Sequence, residues 1–583
     1  MPAPAFTTGP CPCKFLIVGE SWGAKEAQLK LPFVGDSGWL LNEPLAAAGL
    51  SRKDVAVTNL IHAQPPRNDM SYFFRAEGVD FWGLKPTIQI IDALSRLKQE
   101  IALFQPEVII ALGNYAAWAL TDFMAIGTTE GFGADYQKTA KQPAPTGILK
   151  RRGSMVWLRP ELEFRNDGKQ TCVLLAMHPA AVLRQYEMKP FLEADFIKAS
   201  KGRWEPPDYN FVLRPTFHDI AEALAECRKA KVCSVDIETI PDWPTTDCIG
   251  LAWSDREAIC VPWLDQWAKP YWPADEELAI RLRIRKLLVE HPCIIGQNFL
   301  YDQAYLGREL AASFVAGHDT MVTEHLLKPD FPKGLDVLSS VYCRYHRYWK
   351  DESKGQDGKR NVEKLWHYNC IDSVVVPEIR EHQLAEVARR GWASKLKERH
   401  QSYTVAYRMM NKGVRVNEAR REEIKAQVEL AIKHRIAWLS YMLPAEAFKS
   451  GGTAWWTSPQ KQMYLFYDVL GLKPVVKPAT RRRTIDKNAL PILMASYPAL
   501  RNIFETLEEL HSLNISLQVL NRRVDWDGRL KYSINIARAK TFRWATGIHP
   551  FKIGCNMQNI SKGNEKVEFD EWEDEEEEGD DDV

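Results

Sequence analysis

Five side chains between residues 236 and 372 carry the most legible chemistry in this chain. They are Asp236 and Glu238 in SVDIETI, Asp302 in QNFLYDQ, and Tyr368 with Asp372 in YNCID. Alternation along a strand puts Asp236 and Glu238 on one face. Tyr368 and Asp372 are four residues apart, as are Asn298 and Asp302, which is the spacing of one helix face. Carboxylates brought together out of water are costly unless cations neutralise them. An all-oxygen ligand set of this kind suits Mg2+ or Mn2+. Any one of these acids taken alone could be a solvated surface residue. The ordered set, each member on an element able to hold it, favours a shared site.

The elements that must position these groups can be read around them. VCSVDIET is a buried strand ending in acids, and CIGLAWS (248–254) and EAICVPW (257–263) are short apolar runs joined by a polar turn. Together they predict a three-stranded meander. CIIGQN (293–298) predicts a further buried strand leading into the helix of Asp302. Such strands followed by helices make an α/β domain. In order and separation the three motifs resemble the proofreading 3′–5′ exonucleases of family A DNA polymerases. That resemblance implies an RNase H-like fold and two divalent ions, Mg2+ or Mn2+, held by Asp236, Glu238, Asp302 and Asp372. It also implies that Tyr368 orients the attacking water, and that 3′ nucleotides are removed from single-stranded DNA ends by phosphodiester hydrolysis.

Upstream, KFLIVGE, VAVTN, EVIIALG and TCVLLAMHP read as four parallel-type strands with helical stretches between them. Glu20, Asn59, Asn114 and His178 gather at their C-terminal ends, the edge at which open α/β sheets bind ligands. The segments GESWGAKE, LPFVGDSGWLL, TNLIHAQPPRN, ALG and HPAAVLR resemble the uracil-DNA glycosylase superfamily, most closely the type that usually carries an iron–sulfur cluster. The resemblance implies a three-layer α/β/α domain. It implies that Phe33 stacks on a flipped base, that Asn59 reads the Watson–Crick edge of uracil, and that His178 stabilises the departing uracil anion. Glu20 or Glu26 would position or activate water. Two departures stand out. Ala63 replaces a family cysteine, and Cys11 and Cys13 lie too close to GES to match the cluster pair, so no iron–sulfur cluster is expected. Ser21-Trp22 stands where the family has a small residue and proline, and a Trp beside the pocket would narrow or plug it. An active glycosylase and a retained DNA-binding or packing module therefore both stay open.

Beyond Asp372 the apolar residues recur at helical spacing with few breakers. MNKGVRVN reads as a helix end, a turn and a short strand, and SPQKQMYLFYDVLGL (458–472) as a helix with Ser458 as N-cap and Pro459 in its first turn. This stretch resembles the family A thumb. Its tip would be KPVVKPATRRRTIDKNAL, where Arg481, Arg482 and Arg483 would reach several phosphates. GRLKYSINIARAKTFRWATGIHPFKIGCNMQNISKG resembles the segment running from thumb to palm. Arg543, Gln558 and Asn559 occupy its DNA-contacting places, and Phe542 stands where the family has glycine. No palm aspartates or fingers helix follow Ile560. The expectation is that this chain alone does not polymerise DNA: either a second polypeptide supplies palm and fingers, or the chain is a truncated product.

The expected layout is a glycosylase-like domain (1–200), an exonuclease domain (201–385), a thumb with the start of a palm (386–563), and an acidic disordered tail (564–583). Linkers are expected at 198–210, and at 350–361 as a mobile loop over the acid site. The 583 residues carry 76 basic and 76 acidic side chains. Twelve of the acids lie between Glu568 and Asp582. The remainder is therefore basic by 12 charges, as suits a polyanionic partner such as single-stranded 3′ ends or primer–template DNA. The tail itself reads as a solvated end or as a nucleic-acid mimic over the basic groove. No run approaches a membrane span, and the first residues lack the pattern of a secretory signal. Eleven scattered cysteines, many in apolar runs, suit a reducing compartment. The expected location is the cytoplasm of a bacterial or phage-infected host. Three functions fit these residues: an exonuclease, a non-catalytic DNA-binding subunit of a split polymerase, and a uracil-excising enzyme.

Overall fold

Continuous apolar runs give strands that are covered on both faces, and the first domain is built from them. In the computed structural model, which describes residues 6–75, 78–129, 142–203, 205–240, 243–351, 361–444, 452–477 and 481–560, β1 (Phe15–Ser21), β2 (Val55–Ile61), β3 (Val108–Leu112), β4 (Met155–Trp157) and β5 (Cys172–Ala176) form one sheet in the order β2-β1-β3-β5-β4. The pairs β1–β2, β1–β3 and β3–β5 are parallel, and β4 runs antiparallel to β5. Along β1, Leu16 and Val18 enter one core while Phe15 and Ile17 enter the other. β3 and β5 divide in the same way, so the sheet is the middle of three layers. The four expected strands are all present. The short edge strand β4 was not expected.

The second sheet is mixed. β6 (Asn210–Val212), β7 (Cys233–Thr239), β8 (Thr246–Ala252), β9 (Glu257–Pro262), β10 (Ile294–Gly296) and β11 (His318–Asp319) lie in the order β11-β10-β7-β8-β9-β6. The expected meander is β7–β8–β9, antiparallel throughout, and β10 adds to it parallel to β7. A long helix, α1 (Val362–Arg389), crosses one face. Its Val362, Trp366, Cys370 and Val374 pack on Cys248, Ala252, Ala258 and Cys260. Gly250 permits the close approach: a Cβ there would lie 2.4 Å from Ser373 Oγ and 2.5 Å from Asn369 Oδ1.

By packing, residues 1–401 form one unit and 402–583 another. The two α/β sheets thus belong to one unit, and the expected linker at 198–210 begins later than read. Residues 198–200 complete the helix Lys189–Ser200, and Lys198 is buried with its ammonium 3.4 Å from the Gly153 carbonyl. Most of the expected loop at 350–361 and the whole acidic tail lie outside the described residues. In the second unit, helices Glu418–Met442 and Arg501–Leu520 pack around Leu439, Trp455, Phe466 and Phe504. As expected, the chain turns after Lys412 into a short strand, Val414–Arg415, and Ser458 caps a helix that starts at Pro459. No described helix is long and apolar enough to cross a membrane.

Candidate functional site

Pleating puts Asp236 and Glu238 on the same face of β7, opposite Gly250 and Cys248 of β8. The tight seat of α1 over Gly250 brings Asp372 to that face. Carboxylate oxygens of Asp236, Glu238 and Asp372 all lie within 4.8 Å of one another, with Asp372 buried and the other two half-buried. Asp302 sits in the first turn of helix Leu300–Glu309 and is pinned to the same strand. Its Oδ1 accepts the Ile237 N–H, between the two strand acids, at 3.0 Å. Asn298 does not share that helix face. It lies in the preceding bend at φ +53°, and its amide donates to Asp319. Asp319 is a buried acid nearby, but it accepts amides from Asn298, Phe299, Met321 and Val322, so it fastens the turn.

The electrostatics follow from crowding. Burial, then mutual repulsion, drives Asp236 well above the usual carboxylate range. Burial also pushes Glu238 and Asp302 up to about 8, against the Ile237 amide in the case of Asp302. Asp372 is raised by burial and partly relieved by Lys350. Lys350 and Trp349 were not anticipated from sequence. Lys350 Nζ donates to Asp372 Oδ2 at 2.5 Å and to the Tyr368 hydroxyl at 2.8 Å, and Trp349 Nε1 donates to Asp372 Oδ1 at 2.6 Å. Asn369 Nδ2 donates to Asp236 Oδ2 at 2.8 Å. Asn369 is visible in YNCID as the residue that faces the strand when Tyr368 faces the cluster. One ammonium cannot balance these crowded acids if all ionise, so without metal they retain protons, and a hard divalent cation with oxygen ligands could take the place of those protons.

The N-terminal edge is a different kind of place. Phe33 and His178 are stacked, with ring centroids 5.8 Å apart. A Cβ on Gly19 would lie 2.5 Å from Asn59 Nδ2 and 2.6 Å from Phe33 Cζ, so β1 runs directly beneath both. Asn59 is buried. Its Nδ2 donates to the Ser21 carbonyl at 3.3 Å, while its Oδ1 has no partner among the described residues. His178 caps the helix Pro179–Arg184 by accepting the Ala180 N–H on Nδ1. That fixes the ring proton on Nε2. Burial lowers His178 to about 4, so the ring is neutral at pH 7. Glu20 accepts the Tyr115 N–H at 3.0 Å and is pushed up to about 7 by burial. Glu26 accepts the Gly35 N–H at 2.8 Å and so holds the loop ahead of helix Asp36–Ala47. Trp22 stacks on His62 at 5.1 Å, with Phe6 edge-on at 5.5 Å.

The basic tip is less open than its sequence suggests. Arg481 and Arg482 are exposed, but Arg483 pairs with Asp468 at 2.7 Å and forms a β-bridge with Val476. Residues 478–480 between them lie outside the described set. Arg543 and Asn559 are exposed. Gln558 is committed to backbone, accepting from Thr546 N and donating to the Trp544 carbonyl. Phe542 takes φ +60°, the left-handed conformation that suits glycine.

With this geometry in place, the chain can be set beside known proteins. The Uracil DNA glycosylase superfamily matches residues 6–199. The type-4 uracil-DNA glycosylase of Pyrobaculum aerophilum is 33% identical over 184 residues, which are 31% of this chain and 72% of that protein. The corresponding enzyme of Archaeoglobus fulgidus is 27% identical over 202 residues, 34% of this chain and 82% of that protein. Among solved structures, the POL domain of Pol1 from M. smegmatis, in complex with DNA primer-template and dNTP, matches at a TM-score of 0.41 and 17% identity. That match covers 61% of this chain and 56% of that chain.

Proposed function

The chain belongs to the uracil DNA glycosylase superfamily through residues 6–199, and from that premise we propose that it is a DNA-processing enzyme whose second α/β domain is a metal-dependent 3′–5′ exonuclease. The observation that carries the exonuclease is the convergence of Asp236, Glu238 and Asp372 within 4.8 Å. Asp302 is fixed between the strand acids, and the order of motifs resembles the family A proofreading domains, with their RNase H-like fold. The four carboxylates would hold Mg2+ or Mn2+. Divalent ions in such a cluster supply Lewis acidity toward the phosphodiester and neutralise developing charge. Asn369 orients Asp236. Tyr368, held well above the ordinary phenol range by burial and the neighbouring acids, keeps its proton and serves as a fixed hydrogen-bond partner for a water. The exposed Arg481, Arg482 and Arg543 would bind backbone phosphates. Incubating the chain with a 5′-labelled single strand and Mg2+ should give stepwise shortening from the 3′ end. Asp236→Ala should stop it, and shortening at an unchanged rate would contradict the assignment.

A second activity, uracil recognition in the N-terminal domain, is favoured by one observation: the unpartnered Oδ1 of buried Asn59 beside the Phe33–His178 stack. An amide oxygen without a donor suits a ring N–H, and the aromatic face suits a base turned out of its stack. Neutral His178 presents Nε2–H to an oxygen of the departing base. Glu20, half-protonated near neutrality, would serve to place a water. Abasic sites in uracil-containing single strands, lost with Asn59→Ala, are the expected result. Intact strands at high protein concentration would leave the pocket a binding module.

A further inference from the structure

The cation already inside the acid cluster arrives from an unexpected direction. Residues 346–350 form a strap whose other end is fastened to the N-terminal domain. The Met155 amide donates to the His346 carbonyl at 2.9 Å, and the Tyr348 amide donates to Ser154 Oγ at 3.0 Å. Close by, Arg152 is ion-paired with buried Asp195 and donates to Ser340 Oγ at 2.9 Å. His346 Nδ1 lies 3.1 Å from Ser339 Oγ, and Trp349 is buried edge-on to the His346 ring. The strap therefore has little freedom, and it delivers Trp349 and Lys350 together onto Asp372. The Lys350 ammonium also lies 4.7 Å from the centre of the Tyr368 ring. Its side chain is 24% exposed, so it has a route out of the cluster.

We propose that Lys350 is a resident counter-ion of the acid cluster, held there by the N-terminal domain through the strap 346–350, and that it competes with divalent cation for Asp372. The physical reason is charge. Four crowded carboxylates strain a folded chain, and one tethered ammonium relieves part of that strain without an ion from solution. The same ammonium must give way before Asp372 can serve as a ligand, because like charges at this range repel strongly. Lys350 thus acts as a positioning residue that trades metal affinity for stability of the metal-free site. The N-terminal domain, whatever its own activity, becomes a structural part of the neighbouring site.

This inference rests on the metal reading of the cluster, and the experiment separates the two. Mn2+ is titrated calorimetrically into the full chain, into Lys350→Met and into Ser154→Ala, and each metal-free protein is melted. Lys350→Met should bind Mn2+ at least about tenfold more tightly, melt at a lower temperature without metal, and gain more from Mn2+. Ser154→Ala removes one anchor of the strap and should shift in the same direction by less. If Lys350→Met proves too unstable to titrate, Ser154→Ala and Lys350→Gln carry the test. Equal affinity in all proteins would overturn the role of Lys350 and leave the metal reading standing. Absence of Mn2+ binding in every protein would overturn both.

Discussion

Two strand edges in this molecule collect polar groups, and they do so in opposite ways. At β7 and α1, Asp236, Glu238 and Asp372 crowd together with Asp302 pinned beside them; all four are raised above their ordinary range, the first three relieved by a single ammonium and Asp302 by backbone amides. At β1 and β2, one carboxyl, Glu20, is steadied by a backbone amide beside a neutral imidazole and an amide side chain. The first edge would carry more negative charge than the protein can neutralise if all its acids ionised, and on the proposed reading divalent cations take that place and meet the charged backbone of a nucleic acid. The second is close to electrically balanced, and suits an uncharged heterocycle read by hydrogen bonds and stacking. Burial acts on both. What differs is whether the neighbours share the sign of the charge.

If that contrast holds, damage to one edge should leave the other working. The largest expected effect is at the acid edge. Asp236→Ala should lower 3′-end hydrolysis by roughly 10³-fold or more while leaving uracil recognition unchanged. Asn59→Ala should remove uracil excision, by roughly 10²-fold or more, with 3′-end hydrolysis intact. Loss of both activities from either substitution, in a protein that still folds, would mean that the two edges are one site.

Next in size is the response to metal and pH. The cluster acids are raised in the folded chain, so between the unfolded carboxylate range and about 8 the folded protein binds more protons than the unfolded one, and metal-free stability falls as pH rises through that window. Divalent cation replaces those protons. Thermal stabilisation by Mg2+ should therefore be several degrees larger at pH 8 than at pH 6, as measured by melting curves. The N-terminal edge should respond to pH but not to metal. Glu20 rises to about 7, so ionising it weakens the fold between about 4.5 and 7. Glu20→Gln should remove that part of the pH dependence, with a shift of a few degrees at pH 8 and no change in the Mg2+ effect.

The smallest effect concerns the basic tip. Arg481→Ala and Arg482→Ala should each weaken single-strand binding at low salt and reduce the slope of log affinity against log salt by about 1 per lost phosphate contact. Arg483→Ala should do less, because Arg483 is already paired with Asp468.

Where local periodicity decides a side chain's direction, the sequence was readable. Alternation placed Asp236 with Glu238, and four-residue spacing placed Tyr368 with Asp372 on α1. The four parallel strands of the first sheet announced themselves as unbroken apolar runs. The same spacing rule failed for Asn298, because the helix begins only at Leu300 and the bend before it turns Asn298 away. Strand β4 was missed because three residues hold too little pattern, and its place at the edge is settled by pairing with β5. Lys350 was not visible for a deeper reason. Nothing periodic links position 350 to position 372, and the contact exists only because the strap is fastened to Ser154 and Met155, almost 200 residues earlier. Arg483 looked like a third phosphate contact until the fold supplied Asp468.

The central claim is that the four acids share divalent ions, and Mn2+ itself can report on it. Anomalous scattering from crystals grown with Mn2+ and a 3′-terminal mononucleotide should show two peaks among Asp236, Glu238, Asp302 and Asp372, about 3.5–4 Å apart, with Lys350 withdrawn from Asp372. Crystals that diffract well, with no manganese at these carboxylates and Lys350 still bonded to Asp372, would contradict the account.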